Sequence, residues 1–513
     1  MRLNQLMKYR FSKRLFLSGV ASLIGAAAAA KAPARSLRPQ MRPGGGGAAR
    51  GAAQAKSAAP AAPKITSAAE LIKQAKLGGR VGFAVADAKT GLILESGNGS
   101  KGQPPASVTK AVTALYALDV LGNGHRFFTE LHAVGKISGG VLKGDLVLKG
   151  GGDPTLSTDR LALLAASLKK SGVKEVRGKF IVDGTNLPQI DRIDKDQPDH
   201  VGYNPAISGI CLNYNRVHFE WKNTGGKWAT TMDARSAKYR PEVSFATVRI
   251  AAREQPVYTY QSKGGKDIWT VAQGALGKGG SRWLPVRQPE IYAGEVFRTF
   301  ARSQGIVLKA PQTDKGRAGT VIARQQSVEL RKICQGFLKY SNNLTAEMVG
   351  LAATKARKGK VASVKASASE MNRWAGAKLG MKQSKFVDHS GLGDASRATA
   401  KDMALALVKA RGVIAPILKP IAMRNKDGKV NKNHPIKVNA KTGTLNFVSA
   451  LAGYARAADG TVMSFAIFAA DTDKRAKIKR GDRDRPQGTR SWNGRAKGLQ
   501  QRLIERWGAL YGS

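Results

Sequence analysis

Three short motifs stand in fixed order along this chain of 513 residues, and the intervals between them constrain its fold more than any other feature. Ser107-Val108-Thr109-Lys110 follows Pro105-Ala106, Ser341-Asn342-Asn343 follows Tyr340, and Lys441-Thr442-Gly443-Thr444 lies in a strand-like run. Ser107 and Ser341 are 234 positions apart, and Ser341 and Lys441 a further 100. If all three serve one site, the first interval leaves that site and returns to it as a long insertion. The second has room for several helices and a strand.

Short patterns need context, because the chain carries 85 Lys and Arg against 35 Asp and Glu, a formal charge of +50. Ser167-Leu168-Lys169-Lys170 and Ser171-Gly172-Val173-Lys174 repeat the first pattern, Ser96-Gly97-Asn98 and Ser491-Trp492-Asn493 the second, and Lys89-Thr90-Gly91 the third. Position separates them. Ser107 opens a predicted helix, which puts Ser107 and Lys110 on one face at i and i+3. Ser167 and Ser171 fall late on a surface-type helix, where an amine stays hydrated. Lys89 falls in a hairpin turn, whereas Lys441 sits on a strand able to align a peptide by backbone pairing.

The chemistry these residues point to is acyl transfer. A serine hydroxyl needs a neighbour to take its proton, and a lysine does so only when desolvation or a nearby cation lowers its pKa. Ser107 is therefore assigned as nucleophile, Lys110 as general base and Ser341 as proton relay to the leaving amine. Asn343 holds the substrate amide and orients Lys110, and Lys441 supplies the nearby cation. Thr442 and Thr444 flank Gly443 to grip a terminal carboxylate, and backbone N–H groups of Ser107 and Thr444 bind the oxyanion.

Periodicity gives the organisation. Val81 to Ala86 and Leu92 to Leu94 read as a hairpin, followed by a helix over Ser107 to Leu121. Strands and glycine turns dominate from about Leu131 to Pro285, interrupted by a helix at Thr158 to Lys170. Helices are predicted at Glu290 to Gln304, Val328 to Tyr340, Leu344 to Lys358 and Ala366 to Leu379. Strands follow at Ile436 to Thr444, Val448 to Arg456 and Thr461 to Ala470, then a helix from Arg495 to Leu510.

Residues 1–30 read as a secretory signal peptide: five cations, then a 16-residue apolar run from Leu15 to Ala30, too short for a permanent span. A bacterial periplasmic location is expected. Residues 31–63, rich in Ala, Pro, Gly and Arg and lacking any acid, read as a flexible basic tether. So cationic a chain is drawn to anionic cell-envelope polymers, with no specific nucleic-acid partner expected.

Other chemistries are poorly supported. The six histidines include no i, i+4 pair around a glutamate, a phosphate-binding G-x-x-x-x-G-K-[ST] loop is missing, and so is a G-x-S-x-G elbow. No metal and no organic cofactor is expected. Cys211 and Cys334 exclude a disulfide-stapled scaffold, and their pairing stays open with a lean towards free thiols.

Taken together, the motifs resemble the class C low-molecular-mass penicillin-binding proteins, the D-alanyl-D-alanine carboxypeptidase/endopeptidases. The resemblance extends to Gly144 to Leu156, to Tyr203-Asn204-Pro205-Ala206-Ile207-Ser208 with Asn213-Tyr214-Asn215, and to Asp388-His389-Ser390-Gly391-Leu392. It implies an α/β (α+β) fold: a serine transpeptidase/β-lactamase-like domain, an antiparallel sheet flanked by helices, formed by residues 64–130 and 290–513. Two nested β-rich inserted domains would occupy 131–289.

The implied reaction is hydrolysis of the D-Ala-D-Ala end of peptidoglycan stem peptides, with possible cleavage of D-Ala to diaminopimelate cross-links and acylation of Ser107 by β-lactams. Asp199 is the implied contact for the diaminopimelate amine. Position 389 is His where glycine is common, and 342 is Asn where Asp is frequent. Two other readings compete: a catalytically weak wall-binding scaffold, and a serine β-lactamase or esterase.

Overall fold

The computed structural model describes residues 65–512 apart from 318, 426 and 485. The signal peptide and the tether expected over 1–63 lie outside the described residues.

The central sheet is built from both ends of the described chain. Its six strands run in the order Lys419–Ile421, Lys437–Leu445, Val448–Arg456, Val462–Ala470, Arg80–Asp87 and Ile93–Gly97, all antiparallel to their neighbours. Val448–Arg456 and Val462–Ala470 are almost wholly buried because both faces of the sheet are covered, so they read as continuous apolar runs. One face packs against Thr109–Leu121, Leu330–Tyr340, Asn343–Lys358, Val364–Leu379 and Ala400–Lys409, around Tyr116, Phe337, Trp374 and Phe468. Helices Ala68–Ala75 and Thr489–Tyr511 cover the other, with Trp492 and Trp507 in the core.

The interval between the first two motifs forms three further sheets. One has the order Pro311–Thr313, Phe180–Asp183, Val141–Gly150, Phe128–Ser138, Thr320–Gln326. Two three-stranded sheets lie between Phe180–Asp183 and Pro311–Thr313 in sequence: one of Gly279–Pro285, Arg216–Thr224 and Lys227–Asp233, the other of Tyr258–Lys263, Lys266–Ala272 and Ala246–Ala251.

The expected boundary at residue 289 needs correction. Helix Pro289–Ser303 and strands Pro311–Thr313 and Thr320–Gln326 belong to the interval's own core, where Tyr292, Val296 and Phe297 pack with Phe180 and Leu161. Amphipathic periodicity fixes which face of such a helix is buried, not which core receives it. The chain rejoins the motif-bearing region at Leu330–Tyr340. Cys211 and Cys334 are free, buried thiols in different clusters.

Candidate active site

Local structure delivers the first motif. Ala106 takes a left-handed φ of 45°, and a single 3-10 turn, Ala106–Val108, brings Ser107 to the start of helix Thr109–Leu121. Every residue of that helix from Thr109 to Leu118 is buried. Lys110, one turn beyond Ser107, is thus fully enclosed. Its Nζ lies 3.0 Å from Ser107 Oγ, 2.8 Å from Asn343 Oδ1 and 2.6 Å from the Ser390 carbonyl oxygen. Burial pushes the amine down to about 7, against the opposing pull of Asp388 and Glu347. Of the two expected causes, desolvation is the one at work, and the charge of Lys441 is not among the causes.

The second motif is a helix-to-helix corner. Ser341 ends Leu330–Tyr340 in the left-handed conformation, φ 57° and ψ 35°, a strained geometry for a residue with a side chain. Asn342 caps the next helix, its side chain accepting the Thr345 amide at 3.0 Å. Asn and Asp perform that task alike, so Asn at 342 leaves the chemistry intact. Asn343 donates through Nδ2 to the Tyr203 carbonyl at 3.0 Å and so ties the corner to the inserted region.

The third motif closes the site. Lys441, in strand Lys437–Leu445, is buried; its Nζ donates to Ser341 Oγ at 3.0 Å and to the Thr442 carbonyl at 2.5 Å. Burial, followed by the charges of Lys110 and Lys419, holds its pKa well below the usual lysine range. Gly443 is required by close approach: a Cβ there would stand 2.7 Å from the Pro105 carbonyl oxygen and 3.0 Å from the Ser107 nitrogen. Ser107, Ser341, Asn343, Gly391 and Thr444 line a cleft of about 360 Å³. Thr442 is not in its wall.

Asp199 sits elsewhere. Its carboxylate is taken by Arg192 at 2.5 Å and Arg480 at 2.7 Å; burial works against ionisation, yet the two guanidinium groups hold its pKa below the usual range. It lines a larger cavity of about 1400 Å³ whose walls contain none of the motif residues. A carboxylate so occupied is a poor partner for a substrate amine.

Two buried acids behind Lys110 were given no role by the sequence, Glu347 unnamed there and Asp388 standing only within a resembling segment. Glu347 accepts the backbone amides of His389 and Ser390, at 3.1 and 2.9 Å, and Asp388 accepts those of Gly391 and Gly393, both at 2.7 Å. Burial and the neighbouring Asp388 raise the pKa of the Glu347 carboxyl. Glu347 falls at i+4 from Asn343 on one helix, the one signal that marks it in the sequence. His389 lies in this layer, not in the cleft: Nε2 is 2.7 Å from Ser367 Oγ, the ring lies parallel to Tyr116, and burial pushes its pKa down to about 3. It is a neutral packing group at neutral pH. Among the described residues no cluster of three or more His, Cys, Asp or Glu side chains has the form of a metal site.

Residues 65–484 match the family model of the D-Ala-D-Ala carboxypeptidase 3 (S13) family. A D-alanyl-D-alanine carboxypeptidase of Actinomadura sp. (strain R39) is 28% identical over 430 residues, 74% of this chain and 76% of that protein. The crystal structure of penicillin binding protein 4 (dacB) from Haemophilus influenzae aligns with a TM-score of 0.69 at 21% identity, covering 87% of this chain and 99% of that one. The same protein complexed with a β-lactam aligns at 0.67 with 20% identity, over the same shares of the two chains. At such identities the structural likeness is one of fold.

Proposed function

The chain belongs to the D-Ala-D-Ala carboxypeptidase 3 (S13) family, and from that premise we propose that it removes the terminal D-alanine of peptidoglycan stem peptides through an ester on Ser107. The observation that carries this is the pair of lysine contacts, Lys110 Nζ to Ser107 Oγ and Lys441 Nζ to Ser341 Oγ, each 3.0 Å. With a pKa near 7, a large share of Lys110 is neutral at physiological pH and able to accept the Ser107 proton. Ser107 then attacks the penultimate D-alanine carbonyl, with the oxyanion directed to the amides of Ser107 and Thr444. The C–N bond breaks as Ser341, held by Lys441, passes a proton to the departing D-alanine amine. Water hydrolyses the ester and regenerates the Ser107 hydroxyl.

Four finer points belong to the same proposal. β-Lactams acylate Ser107, a reading supported by the β-lactam complex of the Haemophilus relative. The interval between the first two motifs comprises two inserted domains, one nested in the other; the two three-stranded sheets, which fall in sequence between strands of the mixed sheet, support this. The enzyme works in the bacterial periplasm, supported by the composition of residues 1–30. Anionic envelope polymers are partners of its cationic surface, supported by the excess of Lys and Arg.

The test is intact mass after incubation with benzylpenicillin, wild type beside Ser107→Ala, followed by a stem-peptide digest with the same pair. A stable adduct on wild type alone, with release of D-alanine, is expected. Folded wild type that forms no adduct and releases nothing overturns the reading, and rapid destruction of the penicillin redirects it to a β-lactamase.

A further inference from the structure

A second cavity, of about 550 Å³, shares a wall with the catalytic cleft: Tyr203, Ser341 and Asn343 line both. Its other walls carry Tyr214, Arg216 and Tyr340. Tyr340 is 75% exposed, Tyr203 42% and Tyr214 37%, so three aromatic rings stand open beside a catalytic corner. Tyr214 is held there against its own preference. Asn213, Tyr214 and Asn215 have φ of 50°, 59° and 47°, a left-handed run that asparagine tolerates and tyrosine resists.

Two asparagine side chains enforce it. Asn213 accepts the Thr158 amide at 3.1 Å and donates to the Thr158 and Tyr292 hydroxyls. Asn215 accepts the Leu212 amide at 3.1 Å and donates to the Ala206 carbonyl at 3.0 Å. Strain that the surroundings over-determine in this way collects where proteins bind or react.

The lining selects a chemistry. No carboxylate faces the cavity, and its cations, Arg216 and Lys332, disfavour an amine. The Arg216 guanidinium already lies over the rings of Tyr214 and Trp283, at 5.5 and 5.3 Å. What is left is aromatic faces and tyrosine hydroxyls among apolar side chains such as Val328, Ile333 and Phe337, which suit a neutral ring with C–H faces and a hydroxyl-bearing edge. We propose that this cavity is a saccharide subsite, holding an N-acetylated sugar of the glycan strand that bears the stem peptide.

The inference rests on the D,D-peptidase reading, since it is the continuity with the Ser107 cleft that names the occupant. Four peptide residues link that sugar to the scissile bond, a reach of roughly 13 Å when extended, enough to pass from one cavity into its neighbour.

The test compares KM for the free D-Ala-D-Ala stem peptide with KM for the same peptide carrying its N-acetylglucosamine-N-acetylmuramic acid disaccharide. Wild type is expected to show a KM for the disaccharide form lower by about tenfold. Tyr340→Ala and Tyr214→Ala should erase that ratio, and Tyr340→Phe, which keeps the ring, should retain most of it. Because Tyr340 is largely exposed, its variant folds even if Tyr214→Ala does not. Equal KM for both substrates in wild type, or a ratio unmoved by Tyr340→Ala but lost with Tyr258→Ala in the larger cavity, overturns the proposal. D-Alanine release from neither substrate by wild type overturns the peptidase reading instead.

Discussion

Lys110 is the residue on which the acid–base chemistry turns. It acts only when neutral, and burial brings its pKa to about 7. The acylation rate by benzylpenicillin is therefore expected to rise tenfold per pH unit below that value and to level off above it; a rate flat from pH 5 to 8 would exclude Lys110 as the base. The same shift has a sign for stability. Between about 7 and 10.5 the unfolded chain holds a proton on this lysine that the folded chain does not, so its contribution makes stability rise with pH across that window.

A second residue-scale prediction concerns His389, whose ring leaves room for nothing but glycine at 350: a Cβ there would lie 2.2 Å from it. Gly350→Ala should cost about 1–3 kcal/mol by overpacking. In a His389→Gly background the clash is gone and the helix gains, so the same change becomes neutral or stabilising by up to about 1 kcal/mol. Urea unfolding of the four proteins measures the coupling, and additive single effects would refute it.

At the scale of elements, the site is where helix Asn343–Lys358 meets the loop 388–393, and Glu347 is the join. Its carboxylate holds the amides of residues 389 and 390, while the carbonyl of Ser390 receives the Lys110 amine. Glu347→Gln keeps the shape but turns an N–H group towards one of those amides and removes a carboxylate that raises the Lys110 pKa. We expect acylation to slow by about tenfold to a hundredfold, as for other supports of a reacting group, and the pH midpoint to move down. A rate loss with an unmoved midpoint would mean that Glu347 only stabilises the fold.

Legibility follows the same division. Ser107 with Lys110 was readable because helical spacing joins i to i+3, and Ser341, Asn342 and Asn343 because they are consecutive residues at the break between two predicted helices. The hairpin and the three late strands, the first of which carries Lys441, were readable from their apolar patterning. Glu347, Asp388 and the Ser390 carbonyl meet Lys110 only through packing between distant segments, and the allegiance of helix Pro289–Ser303 is likewise a tertiary fact.

For the molecule as a whole, acids are scarce: 35 stand against 85 Lys and Arg, and self-repulsion weighs on the compact state. Several of those acids gather where the segment 475–484 meets the loop 191–200. Arg480 pairs with Asp199, Asp484 with His200 at 3.2 Å and Arg282 at 3.3 Å, and Arg483 donates to the Asp196 carbonyl. The charged side chain that made Asp199 a candidate for a substrate amine serves instead to hold two arginines together, so Asp199→Asn has a two-part signature. It should lower kcat/KM by the same factor for stem peptides with diaminopimelate and with lysine at the third position, since no contact to the diaminopimelate amine is lost. It should also lower Tm at low ionic strength, because Arg192 and Arg480 then repel without a counter-charge, and salt screens that repulsion. The Tm gap to wild type is thus expected to narrow as salt rises from about 0.01 M to about 1 M. A selective loss on the diaminopimelate peptide, with a gap indifferent to salt, would return Asp199 to the substrate and leave the arginine pairing incidental.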